Sequence, residues 1–248
     1  MGCLATQRQS ALPHTENHLI ELLPRQDRLR FLSVCEQVDL PLAQVVCESG
    51  APMRHAYFPT SGLISLEAAI DAHAGLEVGM VGHEGMLGAH LAHGIAIAPW
   101  RALVQGAGVT RRVDMRSFQA QLMHSIALQR ILSRYSYVTL AQFSMSMGCQ
   151  RFHQLGARFC RWLLMRHDRA TSDSFFVTHE SLGHMLGVRR VSVTIAAGAL
   201  QNQGFITYSR GMLSVLDRHG LEACACSCYA RDRSLYAQFL PTMKKVDR

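Results

Sequence analysis

The chain has 248 residues, 48% of them hydrophobic, and 25 Lys+Arg against 18 Asp+Glu give a formal net charge of +7. That length accommodates two compact domains, each able to bury its own core, and no run of about 18 consecutive apolar residues offers a membrane span. Charge is unevenly placed. Residues 1–150 carry eleven Arg against eleven acids, residues 151–220 nine Arg against four acids, and residues 221–248 five basic side chains against three acidic ones. A basic C-terminal part beside a neutral N-terminal one suits a domain that meets a polyanion by releasing its counterions.

At the N-terminus, MGCLATQRQSALPHTENH lacks an apolar core of signal-peptide length and is expected to remain on the protein. Gly2 to Thr6 fits the N-myristoylation pattern, which is discounted because that pattern is permissive. Between residues 40 and 114 the apolar period is two: Ile64, Leu66, Ala68 and Ile70 alternate, as do Leu76, Val78 and Met80, and Leu103 to Val109 continues less cleanly. Turn residues at Glu48-Ser49-Gly50, Pro59 to Gly62, Asp71 to Gly75 and Gly106 to Gly108 break this region into short strands, so a small antiparallel barrel or sandwich is expected.

From Phe118 to Cys149 there is no proline and no glycine except Gly148, which allows one long helix. Leu128, Ile131, Tyr135, Val138, Gln142, Met145 and Cys149 recur along it at alternating steps of three and four. Such a seam is expected to pair with a second copy of the chain, the alternative being that it packs on its own barrel. A following helix, Arg151 to His167, buries Phe152, Leu155, Phe159, Trp162 and Leu163 and starts a second domain.

The most informative segment is THESLGHMLGVRRVSVTIAAGALQNQ, residues 178–203. Thr178 can cap a helix with Leu182, Met185 and Leu186 on one side; Gly183 leaves room for a second helix, and Gly187 permits a tight turn. The second helix starts near Arg189. Val193, Ala196, Ala197 and Leu200 form its inward stripe, while Arg190, Val191, Thr194, Ile195 and Gly198 face outward with Arg189 and Ser192 beside them. Gly204 ends it, and Phe205 to Tyr208, Ser209-Arg210-Gly211 and Leu213 to Leu216 read as a hairpin. The pattern is a winged helix-turn-helix whose second helix enters a DNA major groove.

Cysteine use is scattered, unlike a secreted disulfide framework. Cys224, Cys226 and Cys228 in CACSC stand out as either a soft-metal or redox site or a plain loop of small residues. His83, His90 and His93 lie within eleven residues, a weak signal for a metal or haem in a chain with 13 histidines. An enzyme is not expected: there is no phosphate loop ending in Lys, no nucleophile elbow and no His-Glu-x-x-His motif.

The order of these parts, with AYFPTSGLISL (residues 56–66), VGMVGHEGMLG (78–88) and ARFCRWLLMRHDR (157–169), resembles the Crp/Fnr family of bacterial transcription regulators over roughly residues 19–230. The resemblance implies an α+β protein: a tail over 1–18, a cyclic-nucleotide-binding-like β jelly roll over 19–115, a dimerisation helix over 116–150, a winged helix-turn-helix over 151–230 and a second tail over 231–248. It implies a cytoplasmic homodimer, through Leu128, Ile131, Tyr135, Val138, Gln142 and Met145, that binds palindromic double-stranded DNA, with RNA polymerase a candidate further partner and no membrane contact. By the same resemblance Arg190 reads a guanine. Val191 and Ile195 occupy the next two reading positions, where they can touch thymine methyls but cannot hydrogen-bond a base. Thr178, Arg189, Ser192 and Arg210 become candidate phosphate contacts.

Two departures concern the effector. Members that bind cyclic AMP place an arginine about ten residues beyond a Gly-Glu pair, followed by a small hydroxyl residue. Here Gly82-His83-Glu84-Gly85 is followed by Arg101, seventeen positions after Glu84, and then by Ala102. Glu84 and Arg101 are therefore candidate effector residues, with a surface turn and a solvated charge the favoured reading, and cyclic AMP is not the expected ligand. An N-terminal iron-sulfur cluster fails on ligand count, because only Cys3 lies near the start. No cofactor is expected and the effector is left open. A thiol- or metal-based sensor working through the C-terminal cysteines is the alternative, and Gly148 is the expected hinge.

Overall fold

The computed structural model describes residues 16–70 and 73–241. Asn17, itself buried, caps a short helix α1 (His18–Glu21) and donates from its amide to the carbonyls of Pro59 and Gly85, which fixes the start of the fold. Helix α2 (Arg25–Leu32) follows Pro24, a residue suited to helix starts because its ring sets φ. The strands are β1 (Glu36–Leu40), β2 (Val45–Cys47), β3 (His55–Pro59), β4 (Leu63–Ile70), β5 (His73–Val81), β6 (Arg101–Gly106) and β7 (Gly108–Asp114). They form two antiparallel sheets, in the orders β1-β7-β3 and β2-β6-β4-β5. Phe31, Phe58 and Phe118 meet edge to face beside the first sheet, with ring centroids 5.1–6.5 Å apart. The expected alternation places Ile64 and Leu66 in the core, yet β4 is buried on its other face too, where Leu63 and Ser65 lie beneath the second domain.

Helix α3 (Met115–His124) begins at Asp114, whose carboxylate accepts from the amides of Arg116 and Ser117. The expected single helix is broken at Ser125, which leaves helical geometry to cap α4 (Ile126–Phe152) and donates its hydroxyl to Asp27 on α2. The seam expected to dimerise is turned the other way. Leu128, Ile131, Tyr135 and Val138 are buried in the N-terminal core, and the Tyr135 hydroxyl donates to the Met86 carbonyl at 3.0 Å. Gln142 lines an internal cleft, and Met145 packs beside Cys149. The reason is physical: the jelly roll leaves an apolar side open, and a seam of 3.5-residue period fits a sheet face as well as another helix. A second stripe, offset by two residues, faces outward: Arg130, Ser133, Tyr137, Leu140, Ser144 and Met147 are all exposed.

The C-terminal domain holds α5 (Leu155–His167), β8 (Ser174–Phe176), α6 (His179–Leu186), α7 (Arg190–Asn202), β9 (Ile206–Ser209), β10 (Met212–Val215), α8 (Arg218–Cys224) and α9 (Cys228–Phe239). Strands β8, β10 and β9 form the wing sheet, with β10 central. Phe152, expected in the core of α5, ends α4 instead and is exposed. Gly148 lies inside α4, one turn before the break; the change of direction comes at His153 and Gln154, both extended. The two domains share a core, since Leu63 and Met80 of the barrel pack with Phe159, Leu163 and Met185. Polar contacts from α5 add to it: the Trp162 indole donates to Glu77 (2.7 Å) and Arg166 to the Gln105 carbonyl (2.8 Å). Residues 231–241, expected as part of a tail, pack onto the fold: α9 lies against α4, Asp232 bonds Arg161 at 2.7 Å, and Leu240 is buried in the first core. Among the described residues no helix is long and apolar enough to cross a membrane.

Candidate nucleic-acid interface

Thr178 caps α6, its hydroxyl accepting from the Ser181 amide at 3.0 Å. Gly187 closes that helix at φ +64°, and the chain re-enters helix at Arg189. Close approach is decided at Gly183, where an added Cβ would lie 2.9 Å from the Val188 carbonyl oxygen. Helix α7 buries Val193, Ala197 and Leu200 against this platform. Its other face is open: Arg189, Arg190, Val191, Thr194 and Ile195 are exposed, Val191 at 60% and Ile195 at 70%, with Ser192 half-buried between them. Two large apolar side chains so exposed beside two arginines leave a surface that is cationic at its helix start and apolar further along.

The wing is fastened to this helix. Arg210 and Gly211 both take positive φ, +51° and +82°, the conformation of a tight two-residue hairpin turn. Arg210 thereby stands exposed at the tip. Tyr208 makes the fastening, donating its amide to the Gln201 side chain of α7 at 2.7 Å and its hydroxyl to the Val177 carbonyl at 2.6 Å. Sequence reading missed His179, whose Nδ1 lies 3.0 Å from the Thr194 hydroxyl and whose ring packs edge-on against Tyr208 at 4.6 Å. Burial, and then the Arg190 charge, hold its pKa below the usual histidine value, so a neutral imidazole links α6, α7 and the wing. Only the three-dimensional meeting of residues from three elements reveals that role.

Residues 157–224 match the Crp-like helix-turn-helix domain family. The whole architecture is similar to solved structures of such regulators. FixK2 from Bradyrhizobium japonicum aligns at TM-score 0.64 and 14% identity over 78% of this chain and 98% of that one. A Crp/Fnr-family transcriptional regulator from Thermus thermophilus aligns at 0.61 and 21% over 77% and 98%. The c-di-GMP-responsive global regulator CLP from Xanthomonas campestris aligns at 0.59 and 15% over 78% and 100%. No curated protein sequence matches the chain. Residues 157–224 are thus a Crp-like helix-turn-helix domain, and the chain shares the fold of these structures.

In this fold the two candidate effector residues have separate partners. Glu84 does lie on a turn, but its side chain is paired and largely buried rather than solvated. Its carboxylate accepts from Arg169 Nε at 2.7 Å, its carbonyl accepts from the Tyr236 hydroxyl, and an added Cβ at neighbouring Gly82 would meet the Arg169 side chain. Arg101 instead pairs with Glu67 at 2.6 Å and Glu48 at 3.4 Å. It lines a cleft of ≈ 360 Å³ with Glu67, Leu103, Gln105, Ser181 and His184, between the barrel and α6. Of the noted histidines, His93 approaches the Ser136 hydroxyl at 3.4 Å, while His90 is half-buried with its pKa lowered by burial and by His93. Cys224 is exposed, while Cys226 and Cys228 are buried. Cys3 and the N-terminal Gly2 to Thr6 pattern lie outside the described residues.

Proposed function

We propose that this chain is a Crp/Fnr-type transcription regulator that binds a palindromic DNA site as a homodimer, with Arg190, Val191 and Ile195 reading base edges. The carrying observation is the outward face of α7, where these three side chains are exposed while Val193, Ala197 and Leu200 hold the helix from behind. Arg190 meets guanine O6 and N7 with two donors; Val191 and Ile195 contact thymine methyls, so the operator departs from the family half-site at those places. Arg189, Ser192, Thr178 and Arg210 contact phosphates at the helix starts and the wing tip, setting register without reading sequence. Thr194 holds His179 and the reading face in place.

The dimer contact runs along the outer stripe of α4 rather than the buried one. Leu140 and Met147 are 65% and 71% exposed there, and Ser133 and Ser144 are small enough for close helix approach. Two recognition helices related by a two-fold axis then enter successive major grooves. Cyclic AMP is not the effector: the cassette carboxylate of Glu84 is already neutralised by Arg169, and Arg101 by two glutamates. Selection of bound sequences from a randomised duplex library, with and without cyclic AMP and cyclic di-GMP, tests this reading. A two-fold palindrome recovered without cyclic AMP supports it; sequence-blind binding in every condition overturns it.

A further inference from the structure

Among the described residues, one group of histidine, cysteine and carboxylate side chains has the convergence of a metal centre: Cys149, His153, Cys226 and Cys228, whose ligand atoms all lie within 4.8 Å of one another. Cys149 lies in the last turn of α4, and His153 is the C-cap of that helix, its amide donating to the Cys149 carbonyl at 3.1 Å. Cys226 and Cys228 flank Ser227 where the chain enters α9, and the Cys226 amide donates to the Ala157 carbonyl at 3.4 Å. The Cys149 and Cys226 sulfurs are 3.5 Å apart, and Cys228 Sγ is 3.6 Å from His153 Nδ1.

These separations have a geometric meaning. Four ligands about zinc, with Zn–S near ~2.3 Å and Zn–N near ~2.0 Å, lie at tetrahedron edges of about 3.8 Å between sulfurs and about 3.5 Å between sulfur and nitrogen. Two of the separations already match that size, and all lie within 4.8 Å. A disulfide would use two of the thiols and leave the third and the imidazole without a reason to converge. Three thiols alone would serve as apolar filling beside Met145 and Ala157, but that does not account for an imidazole nitrogen placed 3.6 Å from Cys228 Sγ.

We propose that Cys149, His153, Cys226 and Cys228 bind one Zn(II) ion. Thiolates and a neutral imidazole are the ligating forms, so uptake releases to solvent whatever protons the thiols still hold. The resulting centre carries one net negative charge. Arg158 and Arg161, which line the same cleft as Cys149, supply the positive surroundings. Because Cys149 lies in α4, His153 caps its end and two ligands lie at the α8–α9 junction, the ion ties together the two sides of the bend at His153 and Gln154. Occupancy thereby sets the stiffness of the link between the α4 stripe and the DNA-binding domain. This goes beyond the DNA-reading proposal and stands or falls whether or not the protein selects a palindrome.

The test uses the full-length chain, reduced and stripped by chelator, titrated with Co(II) as a spectroscopic stand-in. One equivalent is expected to produce the ligand-field and thiolate charge-transfer bands of a tetrahedral site, all displaced by Zn(II). Cys226→Ser and His153→Asn are each expected to abolish or shift these bands, whereas Cys224→Ser, exposed and outside the cluster, leaves them unchanged. Far-UV circular dichroism checks that each variant is folded, and metal analysis of the protein purified without added metal gives an independent count. No bands from the folded native chain, bands indifferent to both ligand substitutions, or a Cys149–Cys226 disulfide formed in place of metal uptake would each overturn the proposal.

Discussion

Replacing Gly183 by alanine isolates the close approach on which the helix-turn-helix depends. The added methyl carbon would stand 2.9 Å from the Val188 carbonyl oxygen and 3.5 Å from the Arg190 amide nitrogen, and both are backbone atoms. The Val188 amide also donates to the Gly183 carbonyl at 2.9 Å, so the turn cannot retreat without loosening its own hydrogen bond. The start of α7 must therefore shift by a few tenths of an ångström, an overpacking cost of about 1–3 kcal/mol. Against this stands a gain of about 1 kcal/mol, because alanine favours a helix over glycine. Gly198 is the control: it sits in the interior of α7 with nothing within 4 Å of its would-be Cβ, so alanine there receives the helix gain alone. Urea unfolding of the DNA-free protein should then place Gly198→Ala above the native chain and Gly183→Ala below Gly198→Ala by about 1–3 kcal/mol, the clash itself. A Gly183→Ala variant as stable as Gly198→Ala would refute the steric argument.

Three further outcomes follow from the interface, the outer stripe and the domain contact. Arg190→Ala should lose about 5- to 150-fold in affinity for the selected site, the worth of a bidentate guanine contact, with little change on random duplex; Arg189→Ala should weaken both alike and lower the salt slope by about 0.9, and an equal loss on both duplexes for Arg190→Ala would remove its reading role. Sedimentation equilibrium should find Leu140→Arg monomeric and folded, since that side chain is exposed; a dimer persisting in this variant would place the contact elsewhere. Burial raises the Glu77 pKa from 4.5 to about 7 while Ser65 and Trp162 hydrogen-bond the carboxylate and oppose the shift. The folded state thus keeps a proton that the unfolded chain has given up, so this group's contribution is full below about pH 4.5 and declines as pH rises to about 7, at no more than about 1.4 kcal/mol per pH unit. Glu77→Gln should flatten that part of the stability profile relative to the native chain, and identical profiles would show that Glu77 ionises in the fold as it does in water.

The DNA-binding half was legible in the sequence because its determinants are local. Thr178 as cap, Gly187 and Gly204 with positive φ, and apolar spacings of three and four along α6 and α7 all act within one turn of the residue concerned. The charge division between the halves is equally a property of the chain. Strands β4 and β5 showed themselves by their alternation, but β8 did not, for three residues are too few to display a period. The direction of α4 was beyond reach for a different reason. An apolar stripe through Leu128 and Val138 and a mixed one through Ser133, Tyr137 and Leu140 run along that helix, and period alone does not say whether the barrel or a second copy of the chain covers the first. Contacts between residues far apart in the chain are likewise a tertiary matter: Arg169 reaches Glu84 across 85 positions, and Cys149 reaches Cys226 across 77. Sequence determined which surfaces could form, since propensity, capping and charge belong to neighbouring residues. Tertiary packing decided which of them were covered, because burial is settled by whatever the rest of the chain brings alongside.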